Sequence, residues 1–112
     1  MSFEASAALP YLYLTTTGRV TGMPREIEIW FVTFDGRLYI LAEHGHAAQW
    51  VKNIQHQPAV GVRLGEQELA AVGRVLDPAD DHAPWQRAQA LMRAKYDWGE
   101  GLPVELTPLA MP

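Results

Sequence analysis

From Arg25 to Phe34 the side chains alternate for part of the length, with Ile27, Ile29 and Phe31 on one face and Glu26, Glu28 and Trp30 on the other. A period of two marks a half-buried strand, because successive Cβ atoms of an extended chain point to opposite sides. The run ends in Asp35-Gly36, a dipeptide that tolerates positive φ and therefore suits a two-residue hairpin. Arg37 to Leu41 is the return strand. A hairpin alone is not stable, so the rest of the chain has to extend this sheet or cover it.

The flanking segments do both. Leu9 to Thr17 is aromatic and β-branched and reads as a strand. Gly18 and Gly22 bracket the turn that follows it, and Pro24 marks the exit. From Ala47, the residues Ala47, Trp50, Val51 and Ile54 follow i, i+3, i+4, i+7 spacing, which predicts a helix stopped by Pro58. Val60, Val62 and Leu64 alternate again, Gly65-Glu66-Gln67 turns the chain, and Glu68 to Leu76 returns until Asp77-Pro78 breaks it. Asp80 or Asp81 is placed to cap a second helix over Pro84–Tyr96, with Trp85, Ala88, Met92 and Tyr96 on one side. Val104-Glu105-Leu106, between Pro103 and Pro108, is a last short strand. The order is β-β-β-α-β-β-α-β. Short turns between neighbours imply a largely antiparallel sheet. Six strands and two helices in so small a chain predict a mainly β (α+β) fold, a closed or nearly closed barrel with helices over its openings.

Composition removes several functions. The 112 residues suit one domain, spanning residues 1–112. The absence of cysteine excludes disulfides, iron–sulfur clusters, thiolate zinc sites and a cysteine nucleophile. A net charge of −4 argues against nucleic-acid binding by phosphate neutralisation. No apolar stretch approaches the roughly 18 residues of a membrane span. Met1-Ser2-Phe3-Glu4 carries no basic leader. The expectation is a soluble, cytoplasmic domain.

Two segments carry candidate chemistry. Thr15-Thr16-Thr17-Gly18-Arg19-Val20-Thr21-Gly22-Met23-Pro24-Arg25 combines hydroxyls, two glycines and two arginines around a tight turn. Glycines let N–H groups converge, and guanidinium forks bind phosphate or carboxylate bidentately. The spacing lacks the Walker pattern of a P-loop, and the same residues would also serve as a plain connector with two solvated arginines. In Glu43-His44-Gly45-His46, the two imidazoles would point to opposite faces of a continuing strand, and His56 and His82 lie on other elements. A loop lining a pocket is therefore expected there rather than a metal site. No catalytic triad is evident. Of Trp30, Trp50, Trp85 and Trp98, only Trp30 shares a face with carboxylates.

Taken together these segments resemble the deazaflavin-dependent nitroreductase family. The resemblance rests on Leu14-Thr15-Thr16-Thr17-Gly18-Arg19, Gly22, Pro24-Arg25, Trp30-Phe31-Val32 with its Asp-Gly hairpin, Ala48-Gln49-Trp50-Val51-Lys52-Asn53 with Pro58, and Lys95-Tyr96 before the last strand. It runs from about Tyr11 to Pro108. It implies the split β-barrel shared with FMN-binding, pyridoxamine-phosphate-oxidase-like proteins, and a non-covalent deazaflavin, coenzyme F-420. It further implies that Thr17, Gly18, Arg19 and Arg25 hold the coenzyme's phosphate and acidic tail. Glu28, Ile29 and Trp30 would border its ring, with Glu43, His44, Gln49, Trp50 and Asn53 on the second side of the groove. Two positions depart from the pattern. Val20 stands where members commonly carry a basic residue, and His44 stands where they often carry lysine. Each lost cation removes roughly 1 kcal/mol of charge-assisted grip, and His44 replaces one only when protonated.

The activity implied is hydride transfer from the reduced coenzyme to an electron-poor enone, quinone-like or nitro compound. FMN, with a single phosphate, is the alternative cofactor. A non-catalytic protein binding a small molecule in the same groove is the alternative to an enzyme. The family and the aromatic excess both point to a homodimer.

Overall fold

The computed structural model describes residues 6–109, and the Met1–Glu4 segment read for a leader lies outside them. The elements are β1 (Leu12–Thr17), β2 (Pro24–Ile29), β3 (Val32–Phe34), β4 (Arg37–Ala42), a 3-10 turn over Gly45–Ala47, α1 (Gln49–His56), β5 (Ala59–Leu64), β6 (Gln67–Val75), α2 (His82–Tyr96) and β7 (Leu102–Pro108). One seven-stranded sheet runs in the order β2-β1-β5-β6-β7-β4-β3, and every pairing in it is antiparallel.

The two edge strands, β2 and β3, are consecutive in the chain and separated only by Trp30 and Phe31. Three Cα steps of about 3.8 Å each cannot cross a flat seven-stranded sheet, which would be roughly 28 Å wide at the usual strand spacing. The sheet therefore has to curl until its edges face each other. The result is the split barrel that the family resemblance implied, with Trp30-Phe31 as its seam.

The strand count is the main correction: seven strands rather than six, because Arg25–Phe34 is not one strand but two. The alternation runs on through Trp30 and lapses at Phe31-Val32, both buried. Pairing has already changed by then, because β2 pairs with β1 and β3 pairs with β4. Leu9, Pro10 and Tyr11 precede β1 rather than belong to it. The first helix begins at Gln49 after the separate turn at Gly45–Ala47, and the second begins at His82. Asp81 occupies the N-cap position of α2 but makes no side-chain cap. Its Oδ2 instead accepts from the Asp77 N–H at 2.8 Å and from Arg74 Nη1 at 2.9 Å, and this guanidinium holds its carboxyl below the usual carboxylate range.

The core has two parts, and β4 belongs to both. Leu38, Ile40 and Ala42 face the barrel interior with Leu12, Leu14, Phe31, Val51, Ile54, Val104 and Leu106. Tyr39 and Leu41, on the other face, pack under α2 with Val32, Phe34, Leu76, Ala88 and Met92. A strand buried on both faces loses the polar half of its alternation, and only Arg37 of β4 escapes full burial. The helix α1 lies close against the sheet. A Cβ at Gly73 would come within 2.9 Å of the Ile54 side chain.

Candidate functional site

The first half of the site is the β1–β2 connection. Gly18 N–H donates to the Met23 carbonyl at 2.8 Å, and Gly22 N–H donates to the Gly18 carbonyl at 2.8 Å. Gly22 adopts φ +72°, in the left-handed region that glycine enters without penalty. Gly18 is required for a different reason: a Cβ there would sit 2.9 Å from Thr21 Oγ1 and 3.2 Å from the Met23 carbonyl. Thr17 is the last residue of β1, paired with Pro24, and it feeds the chain into this turn.

Arg19 is tied to α1. Its backbone N–H and its Nη1 both donate to Asn53 Oδ1, at 3.2 and 3.0 Å, and its Nη2 donates to Gln49 Oε1 at 2.7 Å. Gln49 and Asn53 are four residues apart, one helical turn, and so present a single ladder to the guanidinium. Asn53 is buried, and its Nδ2 donates to the hydroxyl of buried Thr16 at 3.2 Å. Every acceptor of Arg19 is a neutral amide. Among the described residues, Arg63, Arg74 and Arg87 have carboxylate partners, whereas Arg19, Arg25 and Lys52 have none. The turn is a locally uncompensated positive region on an acidic protein. Val20, at its tip, is 87% exposed, so no cation extends the region there.

The second half is a groove of about 640 Å³. Ile27, Ile29, Leu41, Ala48 and Trp50 supply much of its apolar lining, with Trp30 and Trp98 at the seam. Glu28, Glu43 and His44 are also part of the lining. The halves meet in sequence at Gln49-Trp50, where one residue holds Arg19 and the next lines the groove. Trp30 is 45% exposed. Its ring stacks on Tyr96 at 4.5 Å between centroids, 3° from parallel.

That stack is part of a clamp on the seam. Phe31 N–H donates to the Tyr96 hydroxyl at 3.2 Å. The same hydroxyl lies 2.8 Å from the Pro10 carbonyl and 3.0 Å from the Phe31 carbonyl. Lys95 Nζ also donates to the Phe31 carbonyl, at 3.0 Å, and sits 3.9 Å above the Phe31 ring. Burial lowers the Lys95 ammonium to about 8 and raises the Tyr96 phenol. On the outer face, Tyr13 donates to Glu28 Oε1 at 3.0 Å, a bond that leads the causes pushing its phenol up to about 12. The Glu28 carboxylate is therefore engaged with the β1 side.

Of the residues singled out from sequence, Glu28, Ile29, Trp30, Glu43, His44 and Trp50 come together in the groove, and Thr17, Gly18, Arg19, Gln49 and Asn53 lie in or against the turn. Arg25, the second residue of β2, lies beside Gly18, its Nε 3.6 Å from where a Gly18 Cβ would stand. Trp30 does not continue the polar face of Glu26 and Glu28 in one strand; it lies beyond the end of β2. Glu43, His44 and Gly45 follow β4 rather than extend it. Among the described residues no three His, Asp or Glu converge on a point. Sequence reasoning did not place Ile27, Leu41, Ala48 and Trp98 in the site. Leu41 reads as interior strand, and Trp98 falls in a connection with no periodicity to orient it.

Residues 4–102 match the family model described as F420H(2)-dependent quinone reductase. Among solved structures, the fold is similar to that of an F420-H2 dependent reductase, at 25% identity and TM-score 0.64, over 88% of this chain and 93% of that one. It is also similar to the heme storage protein HutZ of Vibrio cholerae, at 18% identity and TM-score 0.76, over 99% and 93%. A Listeria innocua protein of the pyridoxamine 5'-phosphate oxidase type aligns at 15% identity and TM-score 0.72, over 90% and 85%. These last two likenesses speak to the fold alone.

Proposed function

Because the chain belongs to the F420H(2)-dependent quinone reductase family, we propose that it is a coenzyme F-420-dependent reductase acting on a quinone-like acceptor. The observation that carries the reading is the junction at Gln49-Trp50, where a cationic turn without carboxylate partners adjoins an apolar, tryptophan-lined groove. A molecule with a flat ring at one end and phosphate and carboxylates at the other matches both halves. The bare Cα of Gly18 lets the turn close tightly on itself, with Thr21 Oγ1 and the Met23 carbonyl packed where a Cβ would stand.

When bound, the reduced coenzyme supplies the hydride. The chain's own residues do the rest. Arg19 and Arg25 hold the anionic portion, with Thr17 and Gly18 shaping the turn around it. Asn53 and Gln49 fix the Arg19 fork before any ligand arrives, so little side-chain entropy remains to be lost on binding. Ile29, Trp30 and Trp50 give the ring an apolar seat and displace water from it. A quinone-like acceptor would need a second proton beside the hydride, and His44 and Glu43, exposed along the groove, would pass it in from solvent. Enones and nitro compounds are acceptors of the same electronic kind.

Fluorescence titration with F-420 and, separately, with FMN tests the cofactor. Absorbance of the reduced coenzyme during incubation with menadione tests the reaction. The expected result is saturable F-420 binding, weaker FMN binding and menadione-dependent oxidation of the coenzyme. Tight FMN binding without F-420 binding would overturn the reading in favour of a flavin protein. Menadione binding without turnover would favour a non-catalytic binder.

A further inference from the structure

We propose that Trp98 is the fixed end wall of the groove and sets the size of planar acceptor the groove admits. The proposal rests on the reading that the groove receives an aromatic acceptor, and it concerns a residue that neither the sequence motifs nor the family assignment single out.

Trp98 sits in the α2–β7 connection, a segment with no regular structure, yet that connection is pinned on both sides of it. Arg93 Nη2 donates to the Gly99 carbonyl at 3.3 Å, and Gln89 Nε2 donates to the Gly101 carbonyl at 3.0 Å. Asp97, just before it, closes α2 in the left-handed conformation at φ +62°, its N–H bonded to the Arg93 carbonyl. The indole is confined as well. A Cβ on Gly101 would come within 2.9 Å of Trp98 Cη2, so the ring lies against a bare Cα. Its edge meets Trp30 at 6.3 Å and 66°, and Leu41 belongs to the cluster it packs on. Side chains bonded to the Gly99 and Gly101 carbonyls that follow it, and a ring lying against Gly101 and Trp30, describe a wall rather than a lid.

Its position selects what it controls. Arg25 is the second residue of β2 and Trp30 follows its last, so the two lie roughly 17 Å apart along extended chain. The cationic turn and the Trp30–Trp98 corner are therefore opposite ends of the site. A change at Trp98 alters the space beyond the ring seat and leaves the anion anchor in place. Truncating the indole opens the groove toward Gly101, and a wider ring system then fits.

The test uses the cofactor-free protein and two monosulfonated quinones of matched charge, naphthoquinone sulfonate and anthraquinone sulfonate, titrated calorimetrically. The parent is expected to prefer the two-ring compound by roughly tenfold or more, as steric exclusion from a rigid pocket gives. Trp98→Ala should narrow that preference to about threefold or less, with Trp98→Phe, which keeps an aromatic core and guards against misfolding, in between. An unchanged preference in both variants, no preference in the parent, or no binding of either quinone would overturn the proposal. F-420 titration of the same three proteins is read separately. Its failure in the parent would sink the cofactor assignment while the ring-size preference still decides the wall; a large loss of F-420 affinity in Trp98→Phe alone would show that Trp98 seats the coenzyme instead.

Discussion

At the scale of single residues, the site depends on charge that is positioned but not neutralised. Asn53 is the residue that makes this possible, because its carbonyl orients Arg19 while its amide satisfies Thr16. Aspartate has the same shape, and the Thr16 hydroxyl can turn to donate to it. Asn53→Asp should therefore fold with stability within about 1 kcal/mol of the parent, since a hydrogen-bonded pair with charge is at least as favourable as the neutral one. It should nonetheless bind F-420 roughly tenfold or more weakly, because the carboxylate would occupy the charge of Arg19 that the anionic tail requires. Denaturant unfolding and fluorescence titration measure the two effects, and equal loss of both would mean that Asn53 acts only through stability. Lys95 supplies a second residue-scale prediction. Burial lowers its folded value to about 8, against about 10.4 for a free lysine. Between those values the unfolded chain binds the proton that the folded chain has lost, so stability rises with pH across that window. The cost of burying the ammonium is fully present below pH 8. The full shift corresponds to about 3 kcal/mol at 1.4 kcal/mol per unit, reduced to about 1–2 kcal/mol because Lys95 is only partly buried. Lys95→Met has no ammonium to bury. The parent-minus-variant stability should therefore rise by that amount between pH 7 and pH 10, and a flat difference would refute it.

At the scale of elements, the seam matters most. The Trp30-Phe31 linker joins strands on opposite edges of the sheet, and the end of α2 completes its backbone hydrogen bonds through Tyr96 and Lys95. Tyr96→Phe keeps the ring that stacks on Trp30 but leaves the Phe31 N–H without its acceptor. It should cost about 1–3 kcal/mol, the penalty for an unpaired buried donor, read as a lower denaturant midpoint with an unchanged slope. The same seam shows where sequence reading stopped. The Asp35-Gly36 hairpin was legible because its requirement is local: both residues take positive φ, 54° and 73°. The helices were legible from their apolar spacing, and the turn at Gly18–Arg25 from its glycines. The break between β2 and β3 was not, since neither glycine nor proline marks it. What ends β2 is tertiary, with Phe31 buried in the barrel and a helix 65 positions away taking its N–H. Asp81 was misread for the same kind of reason. Its position suits a cap, but Arg74 and the Asp77 N–H claim its carboxylate. Glu28, Ile29 and Trp30 of the groove lining are named by the family pattern and Ile27 is not; Trp98 was not legible either, because its orientation comes from Gly101 and Trp30 rather than from anything nearby in sequence.

At the scale of the whole molecule, the curled sheet leaves β2 on one edge, and much of the exposed apolar surface gathers at the two ends of that strand. Val20 and Met23, 87% and 58% exposed, stand at its start, and Trp30, 45% exposed, stands at its end. Tyr11, 38% exposed, adjoins Pro10, whose carbonyl shares the Tyr96 hydroxyl under Trp30. An edge strand with unpaired backbone groups and apolar side chains is a surface that proteins ordinarily cover. A second copy placed along β2 would cover both ends at once, and a standard interface of roughly 800 Å² per partner is large enough to span a six-residue strand and its flanks. Such a partner would also narrow the open side of the groove, which is one way a small barrel gains a water-poor site that its own core cannot enclose. The expectation is a homodimer at micromolar concentration by sedimentation velocity. Met23→Glu should shift it toward monomer, because a carboxylate buried against apolar surface without a partner is costly. Coenzyme affinity should fall in parallel if the partner helps enclose the site, and stay unchanged if it does not. A parent protein that sediments only as monomer would mean that the apolar rim of β2 serves the ligand alone.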